Sequence, residues 1–105
     1  MEKYGELREI SQQEWRPHVT EHSHKETVVA MLTRPSMPHC ALLRQHLREV
    51  ARRHAAIKFV VIRAEAAIPN YPDRLLPTVL VYKRGDIAKQ FIGLAEFGGE
   101  QCTAD

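Results

Sequence analysis

Cysteine is scarce in this sequence: Cys40 and Cys102 are the only two among 105 residues, and they lie far apart. Two isolated cysteines build neither a secreted disulfide framework nor a metal-ligand spacing, so both are read as free thiols. Long apolar runs are absent too. A membrane helix needs about 18 consecutive apolar residues, whereas the longest aliphatic stretches, 27–32 and 57–62, are strand-sized. The first residues carry no apolar segment behind their charges, which is not the pattern of a signal peptide, and a cytoplasmic location is expected. Repeats, low-complexity tracts and Gly/Ser linkers are also missing, so residues 1–105 are expected to form one domain. The formal net charge is only +2 and the pI near 8.7, short of the clustered basic excess of a nucleic-acid domain.

Apolar residues make up 44% and charged residues 27% of the chain, the balance of a soluble globular protein. Residues 5–10 are short and alternate, which predicts an edge strand. Ser11-Gln12-Gln13-Glu14 follows as a capping box, in which the Ser11 hydroxyl accepts from the Glu14 amide while the Glu14 carboxylate reaches back. A helix starts there, and Pro17, which lacks an amide donor, shortens or kinks it. Residues 26–33 are aliphatic and β-branched, the signature of a buried strand. Pro35 and Pro38 stop helix and strand alike, leaving a loop at 34–38. Over 39–54, a turn of about 100° per residue gathers Leu43, Leu47, Val50 and Ala51 on one side of a helix. Arg44, Arg48 and Arg52 fall away from its centre, and Leu42 lies off the stripe, a hint of a second contact near the helix start. Residues 57–63 read as a central strand, and 64–76, with Pro69 and Pro72, hold one helical turn at most. Strands at 78–83 and 87–92 flank Arg84-Gly85-Asp86, a hairpin signal. Strands joined through helices should run parallel, with right-handed crossovers.

This β-α-β-α-β-turn-β-β string, with Pro77 directly before the fourth strand, resembles the thioredoxin fold. Met37-Pro38-His39-Cys40 stands where thioredoxins carry Cys-Gly-Pro-Cys at the start of the second helix. Leu76-Pro77-Thr78 stands where they carry a cis-proline, residues 81–86 match their hairpin, and Gly93 matches the glycine ending the fifth strand. The expected class is α/β: a thioredoxin-like three-layer sandwich with a mixed sheet and a C-terminal β-hairpin. Longer strings, at 4–11, 41–47, 68–74 and 90–93, resemble the thioredoxin-like domain of phosducin-like proteins, above all the branch that assists the cytosolic chaperonin. The resemblance implies a last helix after Gly98-Gly99, where only residues 100–105 follow. That terminal helix is therefore expected to be missing, and the strands around 28–31 and 57–62 to be partly uncovered.

Disulfide exchange needs an exposed thiolate to attack and a second thiol to resolve the mixed disulfide. By the resemblance, Met37 holds the attacking position and cannot form a thiolate, while Cys40 holds the resolving one. Met37, Pro38, His39, Cys40 and Pro77 are thus a degenerate redox site, with Cys40 either a buried structural thiol or a redox-sensitive single thiol. His18 and His22 have i, i+4 spacing and His24 follows closely, yet a structural zinc site needs four ligands. All three are read as solvated. His39, Cys40 and His46 lack a carboxylate spaced to orient a nucleophile, and Gly98-Gly99 lacks the Lys-Ser/Thr of a phosphate loop. No catalytic residue, metal or cofactor is expected. Six cations (Arg34, Arg44, Arg48, Arg52, Arg53 and Lys58) stand against one acid, Glu49, between positions 34 and 58. Arg44, Arg48, Arg52 and Arg53 form a candidate face for an acidic partner, set against the plainer reading of solvated helix surface.

The resemblance implies a non-catalytic co-chaperone domain that binds the cytosolic chaperonin (CCT) and modulates folding of clients such as actin or tubulin. The alternatives are a regulator that binds G-protein βγ subunits and a single-thiol redox protein acting through Cys40. No nucleic-acid or membrane partner is expected: no RNP-like aromatic motif accompanies the charges.

Overall fold

In the computed structural model, residues 4–93 are described. Strand β1 is Leu7–Glu9, shorter than the alternation suggests. The Ser11 amide then donates to Glu14 Oε1 at 2.9 Å, closing the capping box over helix α1, Gln12–Trp15. Pro17 has no N–H, and its ring crowds the carbonyl four residues back. The ladder widens in response into a π-helical turn, Arg16–Thr20, in which the Glu21 amide reaches Arg16 O at 2.9 Å. A 3-10 turn, His22–His24, leads to strand β2, Val28–Thr33. Helix α2 runs Pro38–Arg53, with proline at its first position, where a missing donor costs nothing. Strand β3, Lys58–Arg63, is followed by helix α3, Ala64–Ala67, and a 3-10 turn, Asp73–Leu75, so that connection holds two short turns instead of one. Strands β4, Thr78–Lys83, and β5, Asp86–Ile92, complete the described residues as a hairpin.

The five strands form one mixed sheet in the order β1-β3-β2-β4-β5. Strands β1 and β2 run parallel to β3, while β4 runs antiparallel to β2 and β5 to β4. Register assigns the faces. Lys58 is level with Val28, and Val28 with Tyr82; Lys58 meets His18, and Tyr82 meets Trp15 edge-on at 5.8 Å. Lys58, Val28 and Tyr82 therefore face the α1 segment, and the alternate positions face α2. Cys40, Leu43 and Ala51 are the buried residues of α2, the predicted stripe members Leu47 and Val50 are half-buried, and Leu42 is 38% exposed.

The expectation of partly uncovered strands holds at Val29 and Ile57, which are half-buried, and fails at the other apolar positions. Val28, Ala30, Met31, Phe59, Val60, Val61 and Ile62 are at most 4% exposed, because helical segments cover both faces of the central strands. Such two-sided cover is why these strands read as continuous apolar runs. Apolar exposure falls elsewhere, at Ile68 and Ile87. The expected absence of a terminal helix concerns residues outside those described, as does Cys102.

Candidate functional site

Met37 precedes α2 in an extended conformation, and its amide donates to Arg34 O at 2.9 Å. Its side chain is half-buried and packs against the core. One turn into the helix, Cys40 is a free thiol with no exposed surface. The Leu76–Pro77 peptide bond is cis, and Pro77 is fully buried. Pro38 is exposed and His39 half-buried. The degenerate site therefore presents a thioether and an imidazole near its surface, with its sulfhydryl enclosed beneath. Thiol exchange needs access by a second sulfur, and Cys40 offers none.

The loop before α2 is tied to the segment ahead of β4. Arg34 forms an ion pair with Asp73, lies 3.9 Å from Glu65, and donates to Tyr71 O at 3.4 Å. Tyr71 Oη and Thr78 Oγ1 are 2.8 Å apart, and the Thr78 hydroxyl donates to Leu75 O at 2.5 Å. The Gly93 amide bonds both Leu75 O and Pro77 O. These contacts explain what the residues at 68–74 do: Tyr71 and Asp73 hold the proline loop and the α2 loop in one arrangement.

The six cations counted between 34 and 58 do not form one face. Arg34 is used as just described. Lys58 faces the opposite side of the sheet from α2. Arg44 is half-buried and meets Glu9 Oε1 at 3.3 Å, and Arg52 meets Glu49 Oε1 at 3.2 Å. Arg48 and Arg53 are exposed, and among the described residues neither has an ion-pair partner. What remains for a partner is a narrow strip along α2, centred on Arg48, Arg52 and Arg53.

A polar cluster beside β1 escaped the sequence reading. His18 and His22 are not solvated but partly buried, and only His24 is exposed. Tyr4 Oη donates to Glu26 Oε1 at 2.8 Å and lies 2.6 Å from His22 Nε2. Lys58 Nζ lies 3.0 Å from His18 Nδ1. Burial, followed by the Glu26 carboxylate, pushes Tyr4 up to about 12. Burial lowers His18 and His22, and the Lys58 cation lowers both further. The one signal available beforehand was a lysine opening an otherwise apolar strand. The i, i+4 histidine spacing pointed here for another reason, and among the described residues no group of three metal-ligating side chains gathers.

The order of strands, the cis-proline beside the start of α2, and a single, enclosed cysteine among the described residues define a thioredoxin fold without the cysteine pair of a disulfide reductase. Solved structures agree on the fold. Spinach chloroplast thioredoxin f matches with a TM-score of 0.72 at 15% identity, over 85% of this chain and 76% of that one. A thioredoxin from Trypanosoma brucei brucei matches at 0.69 with 18% identity, over 90% of this chain and 84% of the other. No protein-family model matches the chain. Curated sequences are more specific: phosducin-like protein 2 of Dictyostelium discoideum is 46% identical over 105 residues, all of this chain and 44% of its own length. Phosducin-like protein 3 of Mus musculus is 43% identical over 98% of this chain and 43% of its length. The chain belongs with the phosducin-like proteins over the segment it shares with them, and it spans less than half of their length. Among the described residues, no helix is long and apolar enough to cross a membrane.

Proposed function

We propose that residues 1–105 form a single, non-catalytic, protein-binding domain of the cytoplasm, which assists the cytosolic chaperonin in folding clients such as actin or tubulin. The observation that carries this reading is the pairing of phosducin-like sequence with a lost redox centre: Met37 stands at the attacking position and Cys40 is sealed in the core. A scaffold kept rigid by a two-sided sheet, with its thiol chemistry gone, retains shape and charge as its means of action. The exposed arginines of α2 supply the charge, steering an acidic surface into place and setting its orientation.

The test is direct binding of the purified chain to purified chaperonin, read as co-migration on a native gel and as a saturable change in light scattering. Saturable binding that added salt weakens supports the reading. Absence of binding, or capture of G-protein βγ subunits in its place under the same conditions, overturns it. Disulfide-dependent capture that disappears in Cys40→Ser would return the single-thiol alternative.

A further inference from the structure

Lys58 opens β3 with only 7% of its surface exposed. Among the described residues its ammonium has one hydrogen-bonding neighbour, His18 Nδ1 at 3.0 Å, and no carboxylate within ion-pair distance. A buried ammonium without a counter-charge is costly, and either it loses its proton or an anion comes to it.

The surroundings favour the anion. A cavity of about 560 Å³ opens beside the lysine, lined by Tyr4, Glu6, Arg8, His18, His22 and Lys58. Arg8 is level with Val60 across the parallel β1/β3 pairing, so Arg8 and Lys58 project from the same face of adjacent strands. Nearby acids are engaged: Glu14 accepts from Arg8 at 3.2 Å and from the Ser11 amide, and Glu26 accepts from Tyr4. Glu6 is exposed at the rim. A guanidinium with five donors gives one to Glu14 and has others to spare, and an ammonium has three.

We propose that this cavity is a binding site for an oxyanion of the phosphate class, held between the Lys58 ammonium and the Arg8 guanidinium. His18 is a positioning residue that aims the ammonium, and the Tyr4 and His22 rings, 5.8 Å apart and edge-on, form the wall. The cavity is far larger than a water or a chloride, and donors converging from two strands suit an anion with several oxygens. Burial, followed by the Arg8 charge, lowers the Lys58 ammonium from its ordinary 10.5, against the pull of Glu14 and Glu26. A bound anion reverses that shift. The site is independent of the chaperonin reading.

The experiment titrates the isotopically labelled chain with inorganic phosphate, following the Lys58 and His18 side chains by NMR, with sodium chloride at matched ionic strength as control. Saturable shifts at both side chains and a raised Lys58 titration midpoint are expected. Lys58→Met keeps the aliphatic stem, and Arg8→Gln removes the second cation. Each should weaken phosphate by about tenfold or more, the scale of one charge-assisted hydrogen bond, while Arg48→Gln on α2 leaves it unchanged. Glu6→Gln should tighten binding by removing a repelling charge. Should Lys58→Met fail to fold, the exposed Arg8 position carries the test. Shifts no larger than those from chloride, or affinity unchanged in Lys58→Met or Arg8→Gln, would overturn the proposal. So would a fall in the Lys58 midpoint and in stability on Glu6→Gln, which would make Glu6 the counter-ion. A parallel titration with glycerol 3-phosphate separates the sources: tighter binding assigns an organic phosphomonoester, and equal or weaker binding assigns the free anion.

Discussion

At the scale of single residues, protonation divides this protein's stability into windows. The Glu14 carboxyl is held below its ordinary 4.5, first by the Ser11 amide and then by the Ser11 hydroxyl. Its contribution is complete above that ordinary value and fades as pH falls through the lower folded one. His18 and His22 are held below 6.5. The folded state resists protonating them, so stability begins to decline once pH drops under about 6.5. Tyr4 acts on the other side, contributing fully below 10.0 and losing that contribution as pH rises through about 12. Lys58 works the other way: it is held below its ordinary 10.5, so its contribution grows as pH rises from that lower folded value to about 10.5. Urea midpoints measured across pH should therefore fall below about 6.5 and again above about 10.5, with a rise between them where Lys58 loses its proton. Glu14→Gln should flatten the acid flank below about 4.5, and an unchanged slope there would contradict the assignment. The redox prediction also rests on one residue. In an insulin-reduction assay the chain should do no better than its Cys40→Ser variant, because Met37 has no thiolate to offer. Faster turnover than that control would show that Cys40 is reached by solvent after all.

Elements show where local pattern and tertiary packing part company. The hairpin was legible from Arg84-Gly85-Asp86, and its geometry explains why glycine stands there. Gly85 has φ of +85°, and a Cβ at that position would come within 2.7 Å of the His24 ring. Gly85→Ala should cost about 1–3 kcal/mol, from a rarely populated backbone region plus the clash. Adding His24→Ala should recover the steric part and leave the backbone part, which paired thermal melts would resolve. A full loss that His24→Ala leaves untouched would assign the whole effect to the backbone. Helix α2 was legible for the same kind of reason: its buried stripe repeats every three to four residues, and an isolated helix cannot hide that periodicity. The α1 segment was not. Pro17 announced an interruption, but whether the chain would kink, stop or widen into a π turn depends on where Val19 must point to reach the core, and Val19 is wholly buried.

For the molecule as a whole, charge distribution is the property most easily tested. Arg48 and Arg53 have no ion-pair partner among the described residues, and the third arginine of the strip, Arg52, is held by Glu49 on its own helix. Replacing Arg48 and Arg53 together by Glu should slow association with an acidic partner by about tenfold or more at low salt. The gap should close as ionic strength rises and the screening length falls to about 8 Å near 0.15 M. Stopped-flow association rates at two salt concentrations would check this, and an unchanged rate would remove α2 from the binding face. Melting temperature should stay nearly constant, since exposed charges contribute little to stability.

By itself the sequence determined the strand and helix order, the hairpin, the enclosed α2 stripe, and the loss of the redox pair. Each is written in neighbouring residues through periodicity, turn chemistry or the identity of one side chain. The polar cluster was decided only in three dimensions, because the pairing of β3 with both β1 and β2 brings Tyr4, the stretch from His18 to Glu26, and Lys58 together. The basic stretch was likewise broken up by tertiary structure. Residues close in sequence point to opposite faces when a strand alternates, so Lys58 crossed the sheet while Arg34 was taken by Asp73 and Glu65. Which cations remain available to a partner is set by the faces of a sheet, and a count along the chain does not contain them.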